Sequence, residues 1–234
     1  MLKIRVLVDN NENPSMRMAT GWGLSLLIES GGYMILWDTG PDPKLLRENM
    51  EVLGISPLDI DIIFISHEHH DHIGGLKYLA ETTRGVKVYI PYGVSEQIKE
   101  SIIKMGFKLH EVDTASAVGC GILSIGQLYG PPYEQSIIAL NGKAVLLVGC
   151  SHPGIINIVR RAAALGYKPE YVIGGLHLYK HSEEEIIQTL NSLFDLGVEK
   201  VSPMHCSGDE IRDIMTRRFR DRLLKLYVGS EISV

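Results

Sequence analysis

The segment Ser66-His67-Glu68-His69-His70-Asp71-His72, running into Ile73-Gly74-Gly75, constrains this chain more than any other. Four of the nine histidines, with Glu68 and Asp71, fall within six residues, directly after the apolar run Ile60 to Ile65. That run reads as a buried strand, so the cluster stands at a strand end. Imidazole and carboxylate are ligands that borderline divalent metals take, and His67 and His69, at i and i+2, can project toward one ion. Asp71 and His72 follow one turn on, where a helix should begin, within reach of a second ion. The pattern His-x-His-x-Asp-His therefore predicts a metal site for two ions. Its spacers Glu68 and His70 read as ordinary polar surface.

A chain of 234 residues with 45% hydrophobic content can bury one sizeable core, so a single α/β domain over residues 1–234 is expected. No stretch approaches the ~18 consecutive apolar residues of a membrane helix, and Met1 to Arg5 leads straight into a strand. A soluble, cytoplasmic protein with no membrane partner is expected. Three cysteines, Cys120, Cys150 and Cys206, make no disulfide framework and suit a reducing compartment. Cys150 and Cys206 lie beside histidines, which leaves open either a thiolate ligand or a small buried residue at a strand end. A net charge of −5 argues against a nucleic-acid surface. The local exception, Arg217, Arg218, Arg220, Arg222 and Lys225, reads as a solvated face at a helix C-terminus.

Along the chain, Ile4 to Val8 alternates as a strand and Asp9 to Ser15 reads as a loop. Leu24 to Glu29 and Tyr33 to Trp37 flank Ser30-Gly31-Gly32 as a hairpin, whose second strand delivers Asp38-Thr39-Gly40. A helix is predicted from Pro43 to a stop at Gly54. After the cluster come a helix within Gly74 to Arg84, a strand over Val86 to Ile90 and an amphipathic helix over Ser95 to Met105. Phe107 to Leu128 suggests short strands and turns. Gly130 to Tyr133 reads as a loop, and Ser136 to Leu140 pairs with Lys143 to Val148 around Asn141-Gly142.

From there one unit repeats three times. Val145 to Val148 runs into Gly149-Cys150-Ser151-His152-Pro153-Gly154 and a helix; Tyr171 to Ile173 runs into Gly174-Gly175-Leu176-His177 and a helix; Lys200 to Ser202 runs into Pro203-Met204-His205-Cys206 and a helix. Ser182-x-x-Glu185 and Ser207-x-x-Glu210 read as capping boxes opening the last two helices. Groups just past the carboxyl ends of strands in one sheet gather along one rim, where such sheets bind ligands. His67, His152, His177, His205 and Asp38 all hold that position, whereas His110 and His181 do not.

At these residues the chain resembles the metallo-β-lactamase superfamily, marked by His-x-His-x-Asp-His after a strand, an earlier Asp and later metal-facing groups. The resemblance covers essentially the whole chain and implies a four-layer αββα sandwich of the α/β class, with the metals at one rim between the sheets. It implies that His67, His69 and His152 hold the first ion and Asp71, His72 and His205 the second. Asp38 would orient the histidines from behind, as carboxylates near metals do. Zinc leads as the ion, with manganese, iron or magnesium admissible. The motifs Gly149 to Gly154, Gly174 to Leu178 and Pro203-x-His205-Cys206-x-Gly208 are similar to a narrower group. It is named for the synthase joining a dihydropterin methyl diphosphate to ribofuranosyl-aminobenzene phosphate in methanopterin biosynthesis. Two departures stand out. Cys150 occupies the place where most superfamily hydrolases carry a metal-bridging Asp, so the second site is expected to be weaker, to hold another metal, or to use His177. Trp22 stands where that group often has His before Gly.

The resemblance implies a metal-dependent enzyme, transferase or hydrolase, acting on a small molecule that carries phosphate or diphosphate. In a condensing reaction the ions would bind the diphosphate leaving group; in hydrolysis of a phosphoester or lactone they would activate water, with Asp71 holding the nucleophile or taking its proton. His177 is a candidate substrate contact or general acid, weighed against an ordinary hydrogen-bonded rim histidine. Arg17, Tyr133 and Lys180, in predicted rim loops, are candidates for binding phosphate, although an exposed cation is usually only solvated. A tRNA-processing nuclease and a non-catalytic metal or ligand sensor are the competing classes.

Overall fold

In the computed structural model, which describes residues 1–234, thirteen strands form two sheets. The first sheet holds β1 (Lys3–Val8), β2 (Ser25–Ser30), β3 (Tyr33–Trp37), β4 (Ile62–Phe64), β5 (Lys87–Pro91), β6 (Lys108–Val112) and β13 (Glu231–Ser233), in the order β13-β1-β2-β3-β4-β5-β6. The second holds β7 (Thr114–Gly119), β8 (Ile122–Tyr129), β9 (Tyr133–Asn141), β10 (Lys143–Val148), β11 (Tyr171–Gly175) and β12 (Lys200–Met204), ordered β12-β11-β10-β9-β8-β7. β3 to β6 run parallel, as do β10 to β12. Antiparallel pairing through β2 leaves β1 parallel to β3 as well.

Period-2 side chains separate the layers. Leu26, Ile28, Ile35, Trp37, Ile62 and Phe64 of the first sheet meet Ile137, Val145, Leu147 and Ile173 of the second in one apolar layer. The alternate residues Leu27, Leu36, Ile63 and Val88 point outward onto Leu46 and Met50 of α1 (Pro43–Val52), Leu76 and Leu79 of α3 (Leu76–Thr82) and Ile102 of α4 (Glu96–Lys104). On the far side, Leu146, Val148 and Val172 pack against α5 (Ile155–Ala164), α6 (Glu183–Asp195) and α7 (Asp209–Arg218). Helix, sheet, sheet, helix is the layering the sequence predicts. No helix is long and apolar enough to cross a membrane.

Local chemistry sets several ends. Asp42 caps α1 by accepting from the amides of Lys44 and Leu45, with Pro43 at the first turn. Ser182 and Glu185 form the expected capping box of α6. The second expected box is absent: Ser207 Oγ accepts from Leu176 N at 2.9 Å instead, and Gly208, with φ +82°, stands at the cap position before α7. Phe107 to Leu128 is also more regular than its glycines suggest. β8 is eight residues long, with a bulge at Gly126 whose positive φ lets β7 approach. Tyr133 opens β9 rather than ending a loop. The single turn α2 (His70–Ile73) carries the end of the histidine motif. Its chain is pressed against the loop after β3, where a Cβ on Gly74 would lie 2.1 Å from Pro41 O.

Candidate metal centre

The carboxyl ends of β3, β4, β10, β11 and β12 open on one rim, and they carry Asp38, His67, His152, His177 and His205. Five non-glycine residues in the chain have left-handed backbone, and four belong to this rim: Asp38, Ser151, His177 and His205. Such strain persists where surrounding structure over-determines it, typically at functional sites.

Asp38 is wholly buried and organises one side. Its Oδ1 accepts from Ser66 N and its Oδ2 from Ser66 Oγ, both at 2.7 Å. Oδ2 also meets His72 Nδ1 at 2.7 Å. Burial alone would disfavour the imidazolium, but Asp38 raises the affinity of His72 for its proton. That bond puts hydrogen on Nδ1 and leaves His72 Nε2 as a free lone pair. Ser66 Oγ, having donated to Asp38, accepts from His67 Nδ1 at 2.9 Å, which frees His67 Nε2 in the same way.

The free nitrogens converge. His67 Nε2 and His69 Nδ1 lie 3.1 Å apart. Two imidazole nitrogens on one tetrahedral zinc would stand roughly 3.3 Å apart, given the usual Zn–N lengths. The His152 ring meets both edge-on at 4.8 Å, and its Nε2 is buried without a hydrogen-bond partner. Burial and neighbouring imidazoles push His67 well below its ordinary pKa and His152 down to about 4, so both rings are neutral near pH 7. On the other side, His205 has no hydrogen-bond partner at either ring nitrogen, although its Nε2 lies 3.2 Å from Asp71 Oδ2. Burial opposes ionisation of Asp71, yet His205 and His72 outweigh it and hold the carboxyl at about 2.

Buried nitrogens without partners are costly unless a cation takes their lone pairs. His67, His69 and His152 offer ligand atoms within 4.8 Å of one another, and so do Asp71, His72 and His205. The donor set fits two divalent ions. Cys150 joins three further groups of that span: with His67 and His72, with His205 and Cys206, and with His152 and His177. Sequence reasoning leaves Cys150 as either a thiolate ligand or a small buried residue at a strand end; its Sγ is 3.2 Å from His72 Nε2, within ligand reach. The hydrogen bond with Cys206, then burial, push the Cys150 thiol up, so its ionisation calls for a cation beside it.

Two carboxylates escape the sequence reading. Glu134 is buried at the start of β9, and its Oε1 accepts from the amides of Gly149, Cys150 and Ser151 at 3.2, 3.0 and 2.9 Å. Its Oε2 accepts from His152 N at 2.8 Å. Burial pushes this carboxyl up to about 7 against those amides. The polar pair Glu134-Gln135 opening an otherwise apolar strand is the signal that could have revealed it. Asp9, also buried, accepts from His205 N at 2.8 Å, and burial raises its pKa. It directly follows β1, so the strand-end rule that selects Asp38 selects it too.

The remaining candidates separate. Half-buried His177 touches the His152 ring at 4.7 Å, and its Nδ1 is buried without a partner. Lys180 lies over the Tyr179 ring at 5.0 Å. Tyr133 packs on Gly93 and pairs with Tyr129. Arg17 lines a separate recess with Met18, Ala19 and α1 residues Glu48, Asn49, Glu51 and Val52, and no residue of the histidine cluster lines it. Glu68, read as plain surface, accepts from Ser95 N and Oγ at the start of α4.

Fold and rim together define an α/β sandwich with a histidine-rich rim between its sheets, and the sequence comparison gives its family. The profile of the metallo-β-lactamase superfamily matches residues 23–205, and the chain belongs to that superfamily, whose members are metal-dependent enzymes. It is 27% identical over 282 aligned positions to the 7,8-dihydropterin-6-methyl-4-(β-D-ribofuranosyl)-aminobenzene-5'-phosphate synthase of Methanocaldococcus jannaschii, covering 99% of this chain and 96% of that enzyme. The crystal structure of a metal-dependent hydrolase of the β-lactamase superfamily superposes with a TM-score of 0.84 at 26% identity, covering 100% of this chain and 99% of that one. Ribonuclease Z of Methanothermobacter thermautotrophicus is 29% identical across 65% of this chain but only 50% of its own length.

Proposed function

We propose that this chain is a two-metal enzyme acting on a phosphate- or diphosphate-bearing small molecule, in a condensation of the kind the synthase group performs, with diphosphate as leaving group. The observation that carries it is the pair of three-residue ligand groups on one rim, His67/His69/His152 and Asp71/His72/His205, each spanning no more than 4.8 Å. Similarity to the synthase over nearly the full length of both chains supports the choice of reaction. When bound, divalent ions supply Lewis acidity, neutralising charge that develops on a leaving diphosphate or lowering the pKa of water.

The chain's own residues do the rest. Asp38 and Ser66 hold the His72 and His67 rings with their free nitrogens inward. Asp71, ionised above about pH 2, is the one carboxylate among the ligand groups. Cys150 at the meeting point supplies a second anionic ligand once its thiol ionises, in place of a bridging carboxylate. On that basis cobalt-substituted protein is expected to show a thiolate-to-metal charge-transfer band that Cys150→Ser abolishes. An unchanged spectrum would remove Cys150 from the ligand set. His177 serves as proton donor or contact for the departing group: a hydrogen bond with Cys206 raises its pKa against burial.

The hydrolase relative with the 0.84 superposition favours a second reading, hydrolysis of a phosphoester or lactone. One assay separates the two. Metal-reconstituted protein receives the dihydropterin methyl diphosphate with the aminobenzene riboside phosphate, and in parallel a panel of phosphoesters and lactones. Diphosphate release is expected to require both synthase substrates and to fall at least about a hundredfold in His69→Ala, as for loss of a metal ligand or its support. Turnover of a panel member alone would establish the hydrolase instead, and silence in both arms would count against both readings.

A further inference from the structure

Two large aromatic side chains stand half in solvent at the edge of the metal rim: Trp22 is 51% exposed and Tyr179 is 44% exposed. They come from different parts of the chain, the loop before β2 and the loop after β11, yet they meet edge to face at 5.9 Å. The Trp22 ring also lies 4.9 Å from the ring of His205, and Tyr179 lies 5.6 Å from that of His177. The pair is thus continuous with the candidate ligands. It is also firmly set. A Cβ on Gly23 would fall 2.5 Å from Asp71 O and from Pro41 Cδ, so glycine lets the Trp22 segment lie directly on the metal-bearing turn. Gly208, at φ +82°, does the same for the other loop, since a Cβ there would meet Tyr179 Cα at 2.9 Å. Exposed aromatic faces forgo apolar burial, and a fixed pair of them is a ready stacking surface. Lys180, over the Tyr179 ring at 5.0 Å, adds a cation to this wall.

We propose that Trp22 and Tyr179 form the wall of a substrate subsite that stacks a flat aromatic or heteroaromatic ring beside Asp71, His72 and His205, with Lys180 facing an anionic group the ring carries. The inference rests on reading the histidine cluster as a metal-dependent active site. Stacking on a Trp face is tolerant of ring substituents, so the wall selects planarity and the neighbouring Lys180 selects charge.

The probes are 6-carboxypterin, a flat bicyclic acid, and glycerol phosphate, an anion with no ring, titrated into metal-reconstituted protein by calorimetry and fluorescence. The other tryptophan, Trp37, is wholly buried, so the part of the pterin's quenching that disappears in Trp22→Phe reports on Trp22. Trp22→Ala is expected to weaken 6-carboxypterin about tenfold and Trp22→Phe less than about threefold, with glycerol phosphate changed by less than about twofold. Bound metal should be equal in all three proteins, which guards against a collapsed rim, and Tyr179→Ala should act in the same direction as Trp22→Ala. Equal 6-carboxypterin affinity in wild type and Trp22→Ala, or no saturable binding by wild type, overturns the proposal. A wild type that binds no metal while the Trp22 contrast persists would uphold the subsite and remove the metal reading. Metal-dependent glycerol phosphate binding with no Trp22 contrast would do the reverse.

Discussion

Replacing Glu134 by alanine is expected to cost about 4 kcal/mol of folding stability, a large share of the roughly 5–15 kcal/mol that separates folded from unfolded domains. One carboxylate satisfies four consecutive amides, those of Gly149, Cys150, Ser151 and His152, and all lie on the loop that presents two candidate ligands. A buried donor left without a partner costs about 1–3 kcal/mol, and partial relaxation of the loop or entry of water reduces the sum. Glu134→Gln retains the oxygen that serves three amides and turns an amine toward His152 N, so about 1–2 kcal/mol is expected for it. Urea unfolding of the three proteins checks this, and an alanine variant within about 1 kcal/mol of wild type would show that the loop holds itself. The pH dependence has a definite sign. The folded-state pKa, about 7, lies above the ordinary value of about 4.3, so the folded protein binds more protons between them. The stability contributed by this group is full below pH ~4 and is lost as pH rises through 7, so the deficit of Glu134→Gln should shrink across that window. Comparison of the two proteins at each pH isolates Glu134 from His67, His69 and His152, whose lowered pKa values act in the opposite sense, and from His72 and His177, whose raised ones act in the same sense.

The residues legible in the sequence were those whose position follows from strand ends. Asp38, His67, His152, His177 and His205 share a rim because parallel strands deliver them there, and spacing alone says so. Asp9 obeys the same rule but is followed by the polar run Asn10 to Glu12, which made it look like loop. Glu134 was hidden for a different reason. Its partners are backbone amides fifteen to eighteen residues later, and no side-chain pattern records them. Likewise the capping pattern at Ser207 is real as sequence, but a tertiary contact with Leu176 N takes the hydroxyl first. The left-handed backbone at Asp38, Ser151, His177 and His205 is also invisible in the sequence, because none of the four is the glycine that usually marks such a conformation. Pattern fixes which side chains reach the rim, whereas long-range hydrogen bonds fix how they are turned once there.

Asp71→Asn is expected to lower turnover about a thousandfold or more, roughly 4 kcal/mol of barrier, and to reduce bound metal from two equivalents to one. Asparagine matches aspartate in shape and still offers one acceptor oxygen, so what is lost is the charge. That charge is the only carboxylate contribution to the ligand groups, held 3.2 Å from His205 Nε2 and 4.0 Å from His72 Nε2. The imidazoles around it offer nitrogen lone pairs but no negative charge, and with Asp71 gone the Cys150 thiol must supply the anion for the second ion alone. The hydrogen bond with Cys206, then burial, resist that ionisation. The His67, His69 and His152 group does not include Asp71, so one equivalent should remain with near-native affinity. Metal analysis after dialysis, alongside turnover on whichever substrate the assay above identifies, decides the matter. Two retained equivalents with turnover within about tenfold would mean that Cys150, His72 and His205 suffice for the second ion and that Asp71 is not its ligand. One retained equivalent with unchanged turnover would instead make the first ion the working one, and would move the chemistry to the His67, His69 and His152 side of the rim.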